Sequence, residues 1–334
     1  MADRLLVTGG TGLTGSTIAL LAAQQGRTVR ALVRAGSADP LTAAGVETVR
    51  GDVTDPGSLH AAMAGVTDVI NTAAVLGGTW ATATPDQMWA VNHDGALNVL
   101  DAASRAGVER CVHLDSNAIW DASVTLTERS ALAPITRHDS AYVSAKRAAF
   151  AGALHRATRG QDIVFVTPGA IYGPGAFTDR ALDPTSFTRL VQRAVLGELD
   201  AFITYPMTWT FVPDLAEITL RALDRGEPAH RYLAMGRPED VSSLAAFCNE
   251  AAQIAGVAHR VRDIDPAAPD APDVGSMGQF AKRAYATPLA DPAVTTAALG
   301  YQPIPRSEGI ARTVAWLRAQ GRIPPGARAG AVRE

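Results

Sequence analysis

Two residues of the segment AYVSAK (141–146) have the types and spacing of a proton-transfer pair. Tyr142 stands four positions before Lys146, so on a helix the two side chains lie one turn apart on the same face. The chain has only two lysines, Lys146 and Lys282, which makes a chance match at this spacing improbable. A lysine ammonium stabilises a nearby phenolate and lowers the pKa of a tyrosine from about 10, so that the phenol can act as acid or base. The alternative is the ordinary rim of an amphipathic helix.

A glycine-rich turn precedes the first helical pattern. Gly9, Gly12 and Gly15 follow the strand-like run RLLVT (4–8) with the spacing G-x-x-G-x-x-G. Gly9 permits a tight turn, Gly12 permits close approach of the backbone to a pyrophosphate, and Gly15 permits close packing of helix on strand. The free N–H groups at the start of the helix favour phosphates. The motif predicts a dinucleotide cofactor, and a purely structural turn is the alternative.

The ends of the second and third predicted strands bear on the identity of that cofactor. Arg34 follows the second strand, where an NAD site usually has an acidic residue, and no acid occurs between Asp3 and Asp39. An arginine there can bind a 2′-phosphate, so NADP(H) is favoured and NAD(H) remains possible. Arg30 on the same strand is a rival, and a surface arginine without a partner is the alternative. Asp52 follows the third strand, where it either accepts a hydrogen bond from the adenine amino group or is an ordinary loop acid.

Strand-like runs alternate with helical patterns through the first half of the chain. Strands are predicted at 4–8, 28–33, 46–50, 68–73, 110–115 and 162–167, and helices at about 12–25, 56–64, 86–106 and 141–158. This alternation predicts an α/β fold, a doubly wound parallel sheet with helices on both faces, and the nearly continuous apolar strands agree with it.

The pattern changes after Pro168. We predict a dinucleotide-binding domain over 1–168, to which a strand and helix at 210–223 and a strand at 231–236 return. A smaller, mainly substrate-binding region is predicted over 169–322, with helices at 239–256 and 309–321, and a loose tail over 323–334.

Composition and charge exclude several classes of function. A content of 47% hydrophobic and 19% charged residues is typical of a globular enzyme, and a net charge of −3 gives no reason to expect nucleic acid or an anionic membrane as a partner. Cys111 and Cys248 have no metal-ligand spacing, which predicts a reducing cytoplasm and no metal site. No signal peptide or membrane span is evident. We therefore expect a cytoplasmic protein that binds a small molecule.

Further motifs complete a recognisable order along the chain. The order is TGGTGLTG (8–15), NTAA (71–74), VNHDGALNVLDAA (91–103), a serine after the fifth strand, YVSAK (142–146), PGAIYGPG (168–175), FVPDLA (211–216) and LGYQP (299–303). With these motifs the chain resembles the extended short-chain dehydrogenase/reductase family, within the NAD-dependent epimerase/dehydratase superfamily, over nearly its whole length. The resemblance implies a Rossmann-type fold and is closest in character to the dihydroflavonol-reductase and 3β-hydroxysteroid-dehydrogenase branches.

The resemblance assigns roles to individual residues. It implies that Tyr142 is the proton donor and acceptor, Lys146 its activator, Ser116 the hydroxyl that orients a carbonyl, and Asn92 a supporting residue near the cofactor. Further cofactor contacts are implied at Thr11, Leu13, Val53, Thr72, Ala73, Ala74, Pro168, Gly169 and Ile171. Substrate contacts are expected at Leu76, Trp80, Asn117, Trp120, Tyr172, Phe177, Met207 and Trp209, and the alternative is that several of these side chains belong to the core. Asp115 departs from the family pattern, because a serine or threonine frequently precedes the residue at position 116.

Apolar walls with few charges favour a neutral, fairly hydrophobic ketone, aldehyde or alcohol as the substrate. We therefore predict an NADP-preferring oxidoreductase with Tyr142 as the acid and base. The alternative is a nucleotide-sugar epimerase or dehydratase that retains NAD, in which Arg180 or Arg189 would hold a diphosphate. A non-catalytic cofactor-sensing protein is disfavoured, because such relatives usually lack the tyrosine–lysine pair. Since family members commonly dimerise through the helices corresponding to 86–106 and 141–158, the resemblance also implies a homodimer.

Overall fold

This computed structural model describes residues 3–34, 36, 38–76, 82–121, 124–136, 139–265, 268 and 289–325. The described part of the chain contains eleven strands and twelve α-helices. The strands are β1 (Arg4–Val7), β2 (Thr28–Val33), β3 (Glu47–Arg50), β4 (Asp68–Asn71), β5 (Arg110–Leu114), β6 (Ile163–Pro168), β7 (Ala170–Tyr172), β8 (Ala201–Ile203), β9 (Trp209–Phe211), β10 (Arg231–Ala234) and β11 (Arg262–Ile264). The helices are α1 (Leu13–Gln24), α2 (Asp39–Ala43), α3 (Pro56–Ala62), α4 (Pro85–Trp89), α5 (Ala96–Ala106), α6 (Ala141–Thr158), α7 (Thr178–Ala181), α8 (Phe187–Leu196), α9 (Val212–Arg225), α10 (Leu244–Ile254), α11 (Ala293–Leu299) and α12 (Arg306–Ala319).

Seven strands form one parallel sheet in the order β3–β2–β1–β4–β5–β6–β10. The chain builds outward from β1 to β3, then returns to β4 on the other side of β1 and builds outward again. The carboxyl ends of β1 and β4 therefore flank the point at which the strand order reverses. Open α/β sheets bind their ligands at this point.

Helices cover both faces of the sheet, which explains why its strands are apolar along most of their length. One face packs against α1 and α9 over a core that includes Val112 and Leu114. The other face packs against α3, α5 and α6 over a core that includes Cys111 and Phe165. Alternate residues of β5 thus point to opposite faces. His113 shares the face of Cys111, and its ring contacts Phe165 edge-on.

The helices that carry predicted site residues begin at recognisable caps. The Ser140 hydroxyl precedes α6 and accepts a hydrogen bond from Val143 N at 3.3 Å. Thr84 and Gln87 form a capping box at the start of α4. One π-helical turn, Ala90–Gly95, lies between α4 and α5, so the helix predicted over 86–106 is interrupted. Such turns are frequent at functional sites.

A second, smaller region follows β6. The strand pairs β7–β9 and β8–β11 are both parallel. They pack with α8, α10 and α12 around an aromatic core. Asp214 on α9 ties down the segment before α12, because its carboxylate accepts hydrogen bonds from Tyr301 Oη at 2.5 Å and from Ile304 N at 3.0 Å.

The predicted doubly wound sheet is present, and β10 joins it through β6. The short strands β7, β8 and β11 and the helices α2 and α11 were not expected from the sequence. Ile323 is buried in the core of the second region, which contradicts a loose tail that starts at 323, and residues 326–334 lie outside the described part. In the described residues, no helix combines the length and the apolar character that crossing a membrane requires.

Candidate active site

The carboxyl edge of the sheet collects most of the predicted site residues. The glycine turn follows β1, residues 72–74 follow β4, Ser116 comes shortly after β5, and Pro168 ends β6. Because these strands are parallel, all four segments lie at the same edge, at and beside the reversal point. The structure thus brings the predicted cofactor turn and the predicted proton-transfer residues to one side of the molecule.

The glycine turn has the geometry that its spacing predicts. Gly9 has a φ of +66°, in the left-handed region that favours glycine, and its carbonyl oxygen accepts a hydrogen bond from Gly12 N at 2.9 Å. A Cβ atom on Gly15 would lie 2.3 Å from that same carbonyl oxygen. Gly15 is therefore required for α1 to pack this closely against the turn.

The start of α1 fits a phosphate-bearing cofactor. Gly12 precedes the helix without a side-chain cap, and the first turn contains no acidic residue, so the first N–H groups remain for an anion. Among the described residues, a Cβ atom on Gly12 would meet only the Gly9 carbonyl oxygen within 4 Å, at 3.2 Å, so the space beside Gly12 is otherwise open to them. Thr11 and Leu13 are half-buried on this turn. These residues fit the pyrophosphate of a nicotinamide dinucleotide.

The structure distinguishes between the two arginines that the sequence offers for a 2′-phosphate. Arg30 is buried, donates to Ala62 O at 2.7 Å and to Ala64 O at 2.8 Å, and has its Nη2 2.8 Å from Glu47 Oε1. These contacts occupy both terminal nitrogens of its guanidinium group and, with its burial, leave it unavailable to a ligand. Arg34 directly follows β2 at the carboxyl edge and is exposed.

Asp52 and Val53 follow β3, at the same edge. The Asp52 carboxylate accepts hydrogen bonds from Thr54 N at 2.9 Å and from Thr54 Oγ1 at 2.8 Å, so it closes a local turn, and its contact with adenine stays a prediction. The Val53 side chain is buried, and a Cβ atom on Gly95 would lie 2.6 Å from it. Val53 is therefore a core residue whose main chain alone could meet a cofactor.

Buried hydrogen bonds hold the segment after β4 against β1. The Thr8 hydroxyl donates to Asn71 Oδ1 at 3.0 Å and accepts from Thr72 N at 3.0 Å and Ala73 N at 3.2 Å. The Thr72 hydroxyl donates to Thr8 O at 2.6 Å. A Cβ atom on Gly9 would lie 3.1 Å from the Ala73 Cα. Thr72 and Ala73 therefore pack directly on the glycine turn.

Asn92 fixes the continuation of this segment, beyond the exposed Ala74. It is fully buried in the π-helical turn, where Oδ1 accepts from Val75 N and Nδ2 donates to Val75 O, both at 2.9 Å. Its amide group is thus engaged with the main chain. Asn92 positions the segment beside the glycine turn, which is a supporting role near the predicted cofactor.

Ser116, Tyr142 and Lys146 come together from two elements. The Ser116 hydroxyl is buried and hydrogen-bonds the phenol of Tyr142, which is half-buried in the first turn of α6. Lys146 lies one turn further along α6, is buried, and donates from Nζ to Leu114 O at 3.1 Å. The hydroxyl, phenol and amine that the sequence predicts are therefore neighbours at the end of β5.

The pKa of Tyr142 depends on burial and on two neighbouring side chains. Burial raises the pKa of Tyr142, the hydrogen bond from Ser116 lowers it, and the charge of Asp115 raises it further, so the net direction is upward. Burial also lowers the pKa of Lys146 to about 8, and the charge of Asp115 opposes that change. The lowering that the sequence predicts from Lys146 and a bound nicotinamide therefore stays a prediction, because burial is the largest influence on Tyr142 in the structure without cofactor. The phenol is in its neutral, proton-donating form near pH 7.

Asp115, which the sequence marked as a departure from the family pattern but not as a site residue, adjoins Ser116 in this site. It is 4% exposed, and its carboxylate lies near the side chains of Thr167 and Trp120, although at more than the usual hydrogen-bond distance. Burial raises its pKa to about 7, while Thr167, Arg231 and Lys146 favour the ionised form.

The segment after β6 is fixed by close backbone packing. Gly169 N donates to Thr210 Oγ1 at 2.8 Å, and a Cβ atom on Gly169 would lie 2.5 Å from Thr208 Oγ1, so no larger residue fits. Ile171 is half-buried against the core under α1 and α9. Pro168 and Gly169 lie at the carboxyl edge of the sheet, and their contact with a cofactor stays a prediction.

Two aromatic residues predicted to contact the substrate lie in the core of the second region instead. Trp209 is 2% exposed and stacks on Phe247, with ring centroids 3.7 Å apart. Tyr172 is 1% exposed, and a Cβ atom on Gly309 would lie 2.3 Å from its hydroxyl oxygen, so α12 packs directly over it. Other side chains and α12 pack against the apolar faces of both residues, so neither residue has surface left for a substrate.

Trp120 is also a core residue. It is buried, its ring meets Phe150 edge-on, and the guanidinium carbon of Arg231 lies 3.4 Å from its ring centroid. Among the other predicted substrate contacts, Leu76 is exposed, and three residues are half-buried: Asn117, Phe177 and Met207. Trp80 lies outside the described residues.

The fold and the site together define a dinucleotide-binding α/β protein with a serine, a tyrosine and a lysine at the carboxyl edge of its sheet. Residues 5–234 match the model of the NAD dependent epimerase/dehydratase family. The chain belongs to this family, whose members are nicotinamide-dependent enzymes, and the resemblance inferred from the sequence is confirmed.

Two relatives and one solved structure refine the comparison. Over 232 residues the chain is 33% identical to a Synechocystis sp. protein provisionally named dihydroflavonol 4-reductase, a match that covers 69% of this chain and 65% of the relative. Over 206 residues it is 30% identical to a 3 beta-hydroxysteroid dehydrogenase/Delta 5-4-isomerase of Mycobacterium tuberculosis, covering 60% of this chain and 54% of the relative. The chain thus spans less than two thirds of the length of both relatives. The crystal structure of gox2253 has a TM-score of 0.82 at 25% identity and covers 96% of this chain and 100% of that chain, which confirms the Rossmann-type fold.

Proposed function

We propose that the protein is an NADP-preferring oxidoreductase that transfers a hydride between nicotinamide and a neutral, fairly hydrophobic ketone, aldehyde or alcohol. The observation that carries this proposal is the contact of Ser116 with Tyr142, one helical turn from the buried Lys146, at the sheet edge that also holds the glycine turn. The names of the two relatives, a dihydroflavonol reductase and a hydroxysteroid dehydrogenase, support a reductase or dehydrogenase of this kind.

The residues of the chain would manage the proton of this reaction. When bound, the nicotinamide supplies or accepts the hydride. The neutral phenol of Tyr142 donates a proton to a carbonyl oxygen, and the Ser116 hydroxyl donates a hydrogen bond to the same oxygen as negative charge develops there. The ammonium group of Lys146 stabilises the phenolate that remains after the transfer.

The preference for NADP rests on Arg34. Its guanidinium group is exposed at the carboxyl end of β2, whereas Arg30 is occupied by Glu47 and two carbonyl oxygens. An arginine in this position suits a 2′-phosphate, because its planar group binds phosphate oxygens in pairs. The apolar Leu76, which is 46% exposed after β4, supports a substrate with apolar surface.

The direct test is consumption of reduced cofactor. The purified protein is mixed with NADPH or NADH and a panel of ketones and aldehydes graded by hydrophobicity, and absorbance at the nicotinamide band is followed. We expect faster consumption of NADPH than of NADH, and the highest rates with apolar carbonyls. An absence of net consumption with every member of the panel would contradict the proposal.

A second candidate is a nucleotide-sugar epimerase or dehydratase, which the description of the matching family favours. Arg180 is exposed, and Arg189 is half-buried with Nη1 donating to Gln192 Oε1 at 2.7 Å, so either could hold a diphosphate. Such an enzyme would co-purify with tightly bound NAD and convert a nucleotide sugar without net change in the cofactor.

We further propose that the protein acts in the cytoplasm as a homodimer that associates through α4, α5 and α6. Trp89 on α4 is 38% exposed, which supports an apolar contact there, and the two free cysteines suit a reducing compartment. Light scattering of the purified protein should give the mass of two chains, and a monomeric mass would contradict the dimer.

A further inference from the structure

The motif VNHDGALNVLDAA (91–103) contains a second buried asparagine contact besides that of Asn92. The motif forms the π-helical turn and most of α5, which shares a core with the turn that follows β3. Asn98 on α5 is half-buried and donates from Nδ2 to Val53 O at 3.1 Å. Asparagine is a poor helix former, so this contact with a residue 45 positions away offsets an unfavourable local choice.

The β3 turn, which we define as residues 51–55, joins β3 to α3 at the carboxyl edge of the sheet. It contains Asp52, for which the sequence predicts a contact with the adenine amino group of the cofactor. Both hydrogen bonds of the Asp52 carboxylate with Thr54 use Oδ1, so Oδ2 is the oxygen that would accept from adenine. The direction of this carboxylate therefore depends on how the main chain of the β3 turn is held.

Two helices hold the main chain of the β3 turn. From α3, the Ser58 hydroxyl accepts a hydrogen bond from Asp52 N at 3.0 Å and donates to Asp55 O at 2.9 Å. From α5, the Asn98 amide donates to Val53 O. The peptide groups on both sides of the Asp52 side chain are thus fixed by contacts from outside the turn.

Close packing brings α5 within reach of the β3 turn. A Cβ atom on Gly95 would lie 2.6 Å from Val53 Cγ2, so a larger residue at this position would push the helix away from the turn. The Val53 side chain is 5% exposed and belongs to the core beneath α3 and α5. Because a carbonyl oxygen in such surroundings is costly without a donor, the Asn98 amide stabilises this approach.

We propose that Asn98 is a positioning residue of the cofactor site, which holds the β3 turn in the shape that receives the adenine ring. This role rests on the proposed function, in which a nicotinamide dinucleotide is the cofactor, and deepens it. Asn98 acts through the main chain of Val53 on the direction of Asp52. Its contact therefore affects how tightly the nucleotide binds, whereas the rate of proton transfer depends on Ser116 and Tyr142.

Removal of the amide donor tests this role. Asn98→Leu keeps the approximate volume of the side chain, favours the helix and suits the apolar surroundings of α5. We expect NADPH, NADH and ADP-ribose to bind about 5- to 10-fold more weakly, because all three contain adenine. Isothermal titration calorimetry measures the three affinities. At saturating NADPH, kcat for carbonyl reduction should stay within about twofold of that of the unaltered protein.

A cofactor analogue separates a positioning role from a general loss of structure. In reduced nicotinamide hypoxanthine dinucleotide, an oxygen replaces the purine amino group from which Asp52 would accept. Since this analogue lacks the contact that the β3 turn provides, Asn98→Leu should weaken its binding by less than about twofold while weakening NADH by about 5- to 10-fold. A general loss of structure would weaken both to the same extent.

Asn249→Leu is the matched control. Asn249 is also half-buried on a helix, α10, and contacts the main chain of a valine, since Nδ2 donates to Val261 O at 2.9 Å and Oδ1 accepts from Val261 N at 2.8 Å. These contacts lie in the second region of the molecule. Asn249→Leu should therefore leave the affinities for all four nucleotides unchanged, although it removes two hydrogen bonds.

Several results would overturn the proposal: unchanged affinities in Asn98→Leu, equal losses of NADH and its hypoxanthine analogue, or losses of the same size in Asn249→Leu. Asn98→Ala should repeat the effect of Asn98→Leu, and loss of folding in both Asn98 variants would also contradict a role confined to the β3 turn. If the unaltered protein binds the nucleotides but reduces no carbonyl, the proposed function fails, whereas the titrations still decide the role of Asn98. Absence of nucleotide binding in the unaltered protein would overturn both proposals.

Discussion

Burial dominates the ionisable residues of the site. It raises the pKa values of Tyr142 and Asp115 and lowers those of Lys146 and His113, each time by penalising the charged form. Contacts with neighbours then modify these shifts, as Asp115 does for Lys146. The outcome is a neutral phenol beside a lysine that still holds its proton at pH 7, which suits donation of a proton to a carbonyl oxygen.

Replacing Arg34 tests how the cofactor is selected. Arg34→Ala should weaken binding of NADPH by about 10- to 100-fold, because one charge-assisted contact with a phosphate is lost, and should leave NADH nearly unaffected. Binding is measured by titration of nicotinamide fluorescence.

Arg27→Ala is the matched control for Arg34. Arg27 precedes the other end of β2 and pairs with Asp224 at 2.6 Å, so its removal should alter neither affinity. Equal losses of NADPH and NADH affinity in Arg34→Ala would show that Arg34 does not contact the 2′-phosphate.

Among the elements, the turn between β1 and α1 was the most predictable from sequence. Its requirements are local, since the left-handed Gly9 and the contact between Gly15 and the Gly9 carbonyl oxygen involve residues only six positions apart. The strands of the main sheet were predictable for a similar reason, because each is a short apolar run. β8 and β11 contain three residues each, which is too short for a periodic pattern.

Two glycine substitutions in this turn should have different effects. Gly15→Ala forces a Cβ atom into the Gly9 carbonyl oxygen and should destabilise the protein by about 2 kcal/mol or more, with loss of NADPH binding. Gly12→Ala requires only a small shift, so it should cost less than about 1 kcal/mol while still obstructing the phosphates. Thermal unfolding and NADPH titration separate the two effects. Equal stability loss in both variants, or full NADPH affinity in Gly12→Ala, would contradict this account of the turn.

The substrate wall was the least predictable part of the site. Tyr172 and Trp209 are aromatic residues in turn-rich segments, a pattern that a pocket and a core share. Their burial depends on Phe247 and Gly309, which come much later in the chain and whose contacts no local pattern reveals. Trp120 is likewise covered by a residue that comes much later in the chain, because the guanidinium group of Arg231 lies on its ring.

At the scale of the whole molecule, a line of buried polar groups crosses the centre of the sheet from β1 through β4 to β5. Thr8 donates to Asn71, and the Asn71 amide lies 3.3 Å from His113 Nδ1. Nε2 of His113 has no direct partner in the described residues. Burial, followed by the charge of Lys146, lowers the pKa of His113 to about 3. The fold therefore requires a neutral histidine at its centre.

His113 should contribute to loss of stability in acid. The unfolded chain binds a proton at this residue below about pH 6.5, whereas the folded chain does so only near pH 3, so stability falls as the pH drops through that interval. Integrated over the whole interval, the contribution reaches about 5 kcal/mol at most. His113→Gln should flatten the fall of the unfolding free energy between pH 6.5 and pH 3, measured by urea unfolding.

The exposed His155 near the end of α6 provides the control, and His155→Gln should keep the original slope. If the unfolding free energy of His113→Gln fell with pH as steeply as that of the unaltered protein, His113 would accept a proton as readily in the folded as in the unfolded state.

The central claim is that Tyr142 transfers the proton while the glycine turn binds the cofactor independently of it. Tyr142→Phe removes only the phenolic oxygen, and its NADPH affinity and its rate of carbonyl reduction can be measured on one preparation. We predict NADPH affinity within about twofold of the unaltered protein and a rate lower by at least about 100-fold, the range that acid–base catalysis supplies. Carbonyl reduction by Tyr142→Phe at a rate close to that of the unaltered protein would contradict the account.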